Sequence, residues 1–449
     1  MPVSFQFPRG FLWGTATAAH QVEGQNKNNN WSAWEQEPGR IIAGHKAGLA
    51  CDWWSGRWRE DFDRAAESGQ NAHRLSVEWS RIQPRPDRWD ETALDRYREM
   101  LIGLVERNML PMVTLHHFTN PLWLEEIGGW ENEEVVPLFE AFVRRTVEAL
   151  KEFTTMWVTI NEPNVYAAMA YFSDEFPPGK KDMNAAFNVM RNMVRAHAAA
   201  YHAIHEIQPE ARVCLAHQYR GFIPAKSWSP IDRALAGITS RLFNDAFPMA
   251  VTDGKLRYIY KNESIPEAAN TQDFLGINYY TQELVAFDLS KSDDLYSRRF
   301  FPADKQLSPG EFIANWPEGL FQGIQWGLQF KKPIIITENG VEDHTGEMRP
   351  SYLVQHIHQM WRAVNFNYPV KGYFHWSLID NFEWERGWTQ RFGLWELDVE
   401  TQARSKRPSA DLYAAIAKAN SLTDAMVAQY APAVFDTLFP GLQAARTEK

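Results

Sequence analysis

Residues 155–162 read Thr155-Met-Trp-Val-Thr-Ile-Asn-Glu162. The run is apolar and rich in β-formers until its last two residues, where it turns polar. Seven further runs have the same character: Phe11–Thr17, His73–Trp79, Pro111–His117, Arg212–His217, Phe274–Tyr280, Pro333–Glu338 and Lys371–Ser377. Strands buried on both faces read as near-continuous apolar stretches, as these do. The segments between them carry helical periodicity. Ala93, Leu94, Tyr97, Met100, Leu101, Leu104 and Val105 make one stripe, and Val136, Leu138, Phe139, Phe142, Val143 and Val147 another. Strands alternating with helices indicate a parallel sheet. Eight of them predict an α/β fold, a single (β/α)8 TIM barrel over residues 1–449. The Pro- and Gly-rich patches near 84–90, 176–180 and 302–310 are expected as long loops of that one domain.

The strand ends carry the chemistry. Polar residues close several runs: His116-His117, Asn161-Glu162, His217-Gln218, Asn278-Tyr279-Tyr280 and Glu338-Asn339. Such groups are costly at the end of a buried strand unless they are solvated, paired or functional. In a barrel these ends converge on one face, where active sites are built. Glu162 and Glu338 are expected to end strands four and seven and to face one mouth. Two carboxylates in one cleft suffice for acid/base and nucleophilic work on an acetal. A separation of about 5 Å gives a covalent, retaining route; about 6.5–9.5 Å leaves room for an inverting water.

Thr159-Ile-Asn-Glu-Pro163 and Ile336-Thr-Glu-Asn-Gly340, in this order, resemble the two catalytic motifs of glycoside hydrolase family 1. The resemblance extends from Phe7-Pro-Arg-Gly-Phe-Leu-Trp-Gly14 to Lys406-Arg-Pro-Ser-Ala-Asp-Leu-Tyr413. It implies a retaining β-glycosidase on a (β/α)8 barrel, with Glu162 as general acid/base and Glu338 as nucleophile. Glu162 must then keep its proton while Glu338 is ionised, so the surroundings must push their pKa values apart. Arg74 matches the family's arginine beside the nucleophile; Tyr280 matches its nucleophile-orienting tyrosine and Asn278 the neighbouring asparagine. On residues alone, Arg74 reads first as a structural ion pair and Tyr280 as a core aromatic with a satisfied hydroxyl.

The resemblance also supplies a sugar pocket: Gln21, His117, Asn161, Trp376, Glu383 and Trp384, with Phe392 further along the same segment. Members that cleave 6-phospho-sugars lack a carboxylate at the position of Glu383, so unphosphorylated sugars are expected. The implied activity is that of a β-glucosidase on terminal non-reducing β-glucosides, with galactosides and fucosides as further substrates. A transglycosylase on the same scaffold, or a sugar-binding barrel without turnover, is the alternative. No cofactor is implied. Ile313 stands where the family usually has a Trp that supports the leaving group, and Trp316 is expected to bear on that side instead. His116, Glu78 and the Trp-rich run Cys51–Trp58 are further departures expected to border the mouth.

Composition closes off other classes. The chain has 46 Lys and Arg against 56 Asp and Glu, a net charge of −10, with no basic block for nucleic acid or a membrane surface. Two cysteines cannot build a disulfide framework or a Cys-based zinc site. No H-E-x-x-H run is present, and His116 and His117, adjacent in a strand, face opposite ways, so no metal is expected. No signal peptide or membrane span is read, and a cytoplasmic location is expected. Aromatic residues reach 14%, including 19 Trp, which suits either large cores or sugar platforms. His356 and His358 are expected at the surface. Residues 421–449 predict an added helical extension, its stripe of Met426, Val427, Tyr430, Val434, Phe435 and Leu438 packing on the barrel or against a second subunit of a homo-oligomer.

Overall fold

The computed structural model describes residues 3–442 except Tyr260. Among these residues eight parallel strands close a ring: β1 (Leu12–Ala16), β2 (Ala72–Ser76), β3 (Leu110–His116), β4 (Met156–Asn161), β5 (Arg212–Pro224), β6 (Leu275–Phe287), β7 (Ile334–Asn339) and β8 (Val370–Trp376). Each pairs with the next, β8 pairs with β1, and the ring shuts where His217 of β5 lies beside Ile277 of β6. All eight are the expected runs, and the fold is the (β/α)8 barrel. The strands are buried almost throughout because helices cover their outer face and side chains fill the interior.

Two strands run past the barrel. β5 and β6 continue to Pro224 and Phe287, and Ser297–Phe300 adds antiparallel to β6. The helices Glu91–Glu106 and Val135–Leu150 bury most of the expected stripes, including Leu94, Tyr97, Leu101, Phe139, Phe142 and Val147, whereas Val105 is exposed and Val136 and Leu138 are half-buried. The aromatic surplus is mostly core: Trp13, Trp31, Trp53, Trp79, Trp130 and Trp157 are fully buried.

Three expectations are corrected. His356 is buried and not at the surface; its ring stacks on Tyr352 with centroids 3.6 Å apart. The extension is not one helix. Ser421–Thr423 form a strand against Ser4–Gln6, then Asp424–Tyr430 is helical, and Pro432, which has no N–H to donate, breaks the run before Phe435–Leu438. Val427, Phe435 and Leu438 are buried against the barrel, which is the packing reading of that stripe. Residues 443–449 of the expected extension lie outside the described residues. Finally, His116, Glu78 and Cys51–Trp58 do not border the mouth. His116 is buried against Asn120 and Trp130, Glu78 against Ser80 and Thr119, and Trp53 donates to Asp61. No helix of the described residues is long and apolar enough to cross a membrane.

Candidate active site

β4 ends in Asn161, and Glu162 follows with φ +41° and ψ 57° before Pro163 opens the helix Pro163–Tyr171. A left-handed backbone at a non-glycine residue costs on the order of 1–3 kcal/mol. Pro163 fits the first helical position, where its missing N–H loses nothing. The sharp turn holds the Glu162 carboxyl at the strand end, and its N–H donates to Ala216 O at 2.7 Å. Glu338 sits in β7, in register with Asn278 of β6.

Both carboxyls line one cavity of about 410 Å3 at the C-terminal mouth of the barrel. A line of side-chain hydrogen bonds joins them. Arg74 Nη1 donates to Glu338 Oε1 at 2.5 Å, and its Nη2 donates to Asn161 Oδ1 at 2.6 Å. Asn278 Nδ2 reaches Asn161 Oδ1 at 3.2 Å and Glu162 Oε1 at 2.9 Å. Tyr280 donates its hydroxyl proton to Glu338 Oε2 at 2.6 Å. Thus each Glu338 oxygen receives a donor, one of them cationic, whereas Glu162 has one neutral amide donor.

The electrostatics follow from those partners. Burial disfavours charge on both carboxyls. At Glu338, Arg74 and the Tyr280 hydroxyl oppose the rise. Glu162 is pushed up to about 8, first by burial and then by the charge of Glu338. The surroundings thus favour charge on Glu338 and retention of a proton on Glu162.

The other expected residues gather around the pair. His117, Trp376, Glu383, Trp384 and Phe392 line the cavity. Asn161 stands behind it and donates to His117 Nε2 at 3.0 Å. Gln21 donates from Nε2 to Glu383 Oε2 at 3.1 Å and to Phe382 O at 2.8 Å. Its Oε1, like His117 Nδ1, is buried with no hydrogen-bond partner among the described residues. Burial, with Glu385 and Glu338 nearby, raises the Glu383 carboxyl to about 8. Burial thus favours the protonated form of Glu383, which can then donate as well as accept.

Trp316 is not brought to the site. Its ring lies under Lys305 and its carbonyl accepts from Tyr279 at 2.6 Å, while Phe312 and Ile313 line the cavity in its place. Sequence reasoning also passed over Glu385, Arg386 and Arg220, which line the cavity, the last acting on the charge of Glu162. Glu383-Trp-Glu-Arg386 is dense in charge for a segment next to a sugar pocket, which was the available signal. Among the described residues no group of three or more His, Cys, Asp or Glu is arranged to hold a metal ion.

β-Glucosidase A of Thermotoga maritima is 32% identical over 448 residues, covering 93% of this chain and 99% of its own. The 1,4-β-D-glucan glucohydrolase of Thermotoga neapolitana is 31% identical, covering 93% and 100%. The solved β-glycosidase from Pyrococcus horikoshii superposes with a TM-score of 0.89 at 33% identity, over 95% of this chain and 98% of that one. Residues 3–422 match glycosyl hydrolase family 1 as a whole. The chain belongs to glycosyl hydrolase family 1 and is a glycoside hydrolase.

Proposed function

We propose that the chain is a retaining β-glycosidase of the β-glucosidase type, releasing terminal non-reducing β-linked glucosyl groups and accepting galactosides and fucosides as well. The observation that carries this reading is the unequal surroundings of the two glutamates. Glu338, held by Arg74 and Tyr280, is the nucleophile; Glu162, held by Asn278 alone, is the acid. In the first step a Glu338 oxygen bonds to the anomeric carbon as the bond to the aglycone oxygen breaks, and the Glu162 proton passes to that oxygen. In the second, Glu162 takes a proton from water, whose oxygen displaces Glu338 from the same carbon. Two inversions leave the β-anomer. No cofactor takes part in either step.

Gln21 Oε1 and His117 Nδ1, buried and unpartnered, support hydroxyl recognition in the glycone pocket. The names of the relatives support glucosides as first substrates. Glu383 lines the cavity at the position where members of the family that cleave 6-phospho-sugars lack a carboxylate, and its Oε2 accepts from Gln21 Nε2 at 3.1 Å, which supports its use as a hydroxyl-binding group. Unphosphorylated sugars therefore fit best. The reading takes the whole chain as one catalytic domain and places it in the cytoplasm, where its two free, buried cysteines are stable.

The test is the anomer first formed. NMR of fresh hydrolysate from a nitrophenyl β-glucoside is expected to show β-glucose; net inversion overturns the mechanism. Azide added to Glu162→Ala is expected to yield the β-glycosyl azide, and added to Glu338→Ala the α-azide. Swapped products would reverse the two roles.

A further inference from the structure

Glu78 departs from the family pattern and lies outside the catalytic cavity, yet its carboxyl joins two segments that supply that cavity. It follows β2 and is fully buried. Its Oε1 accepts from Ser80 Oγ at 2.7 Å and from Asn29 Nδ2 at 3.3 Å, and its Oε2 accepts from Thr119 Oγ1 at 3.0 Å. None of these donors is a cation, and the neighbouring Arg81 is spent on Glu23 at 2.7 Å. Burial therefore raises the Glu78 carboxyl, against the pull of those donors and of Arg81. A carboxyl offers about four acceptor sites on two oxygens, so it takes donors from three segments at once.

The first tie leads to Gln21. Asn29 Oδ1 accepts from Ser32 N at 2.7 Å, which turns its Nδ2 toward Glu78 and toward His20 Nδ1 at 3.2 Å. Burial lowers His20 to about 3, so the ring is neutral and its Nδ1 is left to accept. His20 lies edge-on to Phe382 and nearly parallel to Trp384, each with ring centroids 5.9 Å apart. The next residue, Gln21, bonds the same segment at Phe382 O and Glu383. The second tie leads to His117. Phe118 has φ +68°, a left-handed backbone that costs energy at a non-glycine residue and has to be held by its surroundings. Thr119, just beyond it, is held by Glu78 Oε2, and Asn120 N donates to Asn30 Oδ1 at 2.9 Å. One carboxyl thus braces the turn behind His117 and the ring beside Gln21.

We infer that Glu78 is a positioning residue for the glycone pocket, setting Gln21 through Asn29 and His20 and setting His117 through Thr119. The inference rests on the β-glucosidase reading above. Glu78 touches no substrate. It fixes where the unpartnered Gln21 Oε1 and His117 Nδ1 stand, and the sugar meets those two atoms in the ground state and the transition state alike. Glu162 and Glu338 are held by other partners, Arg74, Asn278 and Tyr280. Weakening an interaction made equally in both states raises KM and leaves kcat nearly unchanged.

The experiment measures KM and kcat for nitrophenyl β-glucoside, and Kd for 1-deoxynojirimycin by calorimetry, in Glu78→Ala, Glu78→Gln and Thr119→Val. Deoxynojirimycin carries the hydroxyls of glucose and no leaving group, so it reports on the glycone pocket alone. Expected for Glu78→Ala is a rise of about tenfold in KM and in Kd, with kcat within about threefold of the parent. Glu78→Gln keeps an acceptor for Asn29 and is expected to bring both constants back to within about threefold of the parent. Thr119→Val keeps the side-chain shape and cuts only the tie toward His117; it is expected to raise both constants about threefold, and it carries the test if Glu78→Ala does not fold. Parental KM and Kd in folded Glu78→Ala, or in Thr119→Val where the former does not fold, overturn the inference, as does a fall in kcat with KM unchanged: the carboxyl then serves the fold and not the pocket. Turnover of nitrophenyl β-glucoside by the parent leaves the β-glucosidase reading standing in each of these cases. A parent that turns over no β-glucoside overturns both.

Discussion

Asn278 Nδ2 lies 2.9 Å from Glu162 Oε1, and its Oδ1 accepts the Thr337 hydroxyl proton at 2.7 Å. With its oxygen occupied, the amide presents only its N–H side to the acid. A donor favours the carboxylate form. Asn278 thus restrains a carboxyl that burial and Glu338 push up to about 8. In Asn278→Ala that restraint is gone. The alkaline limb of kcat/KM is expected to move upward, by about one pH unit, because Glu162 holds its proton longer; the rate maximum falls as the hydrogen-bond line to Asn161 opens. A pH profile with a nitrophenyl β-glucoside reads both, and a downward shift of that limb would contradict the assignment of Glu162 as acid.

The same carboxyl sets a stability cost. An unfolded glutamate titrates near about 4.3, whereas Glu162 in the fold does so at about 8. The folded state binds this proton more tightly. Its stabilising contribution is complete below about pH 4 and is lost as pH rises through 8. Glu162→Gln cannot ionise and escapes that loss. The variant is expected to outlast the parent in thermal unfolding at pH 8.5, by on the order of a few kcal/mol at about 1.4 per pK unit, with the gap closing toward pH 4.5. An equal gap at both pH values would show that the Glu162 environment does not penalise its charge.

The barrel and its catalytic layer were legible because each depends on local pattern. Eight apolar runs, five of them with polar ends, fix strands, faces and mouth together, and Glu162, Glu338, Arg74 and Tyr280 all sit at strand ends or within them. The outer wall of the cavity was not legible: no pattern in the sequence marks Met169, Phe172 and Leu242 as lining it, since periodicity reports which face is apolar and not what covers it. Trp316 misled for the converse reason. An aromatic near a pocket in sequence looks available, yet the chain between β6 and β7 turns it under Lys305 and presents Ile313. His356 was misplaced because one-residue spacing on a helix says nothing about which of two histidines faces the sheet.

Asp380 and Arg407 hold the glycone segment from behind. The guanidinium makes two bonds to the carboxylate, 2.8 and 2.9 Å, and both residues are buried. Asp380 also accepts from Gly393 N at 2.8 Å, so one carboxylate ties the two ends of the stretch carrying Glu383, Trp384 and Phe392. Arg407→Met leaves that charge buried without its main partner. A loss of about 3–5 kcal/mol in unfolding free energy is expected. Because the segment carries the proposed sugar-binding groups but neither of the two carboxyls proposed to react, KM for nitrophenyl β-glucoside is expected to rise more than kcat falls. Equal KM in variant and parent would mean that Arg407 supports the fold without positioning the pocket.

The added C-terminal segment makes the last case. Phe439 stacks on Phe5 with centroids 4.9 Å apart, and Val427, Ala431, Phe435 and Leu438 close over the same cluster. None of these residues lines the catalytic cavity. Each large apolar side chain buried this way contributes about 1.5–3 kcal/mol. Ending the chain after Thr423 keeps the strand pair with Ser4–Gln6 but uncovers Phe5 and its neighbours. The truncated protein is expected to lose several kcal/mol of stability, with a lower Tm and a greater tendency to aggregate. Its folded fraction should retain kcat/KM for nitrophenyl β-glucoside within about twofold. Sedimentation separates this from the subunit-contact alternative: a segment whose main role is to join two copies would, on removal, turn a dimer into a monomer and leave Tm extrapolated to low concentration unchanged. Loss of Tm at unchanged mass is the outcome the packing predicts, because the buried faces of Val427, Phe435 and Leu438 are already covered by their own barrel.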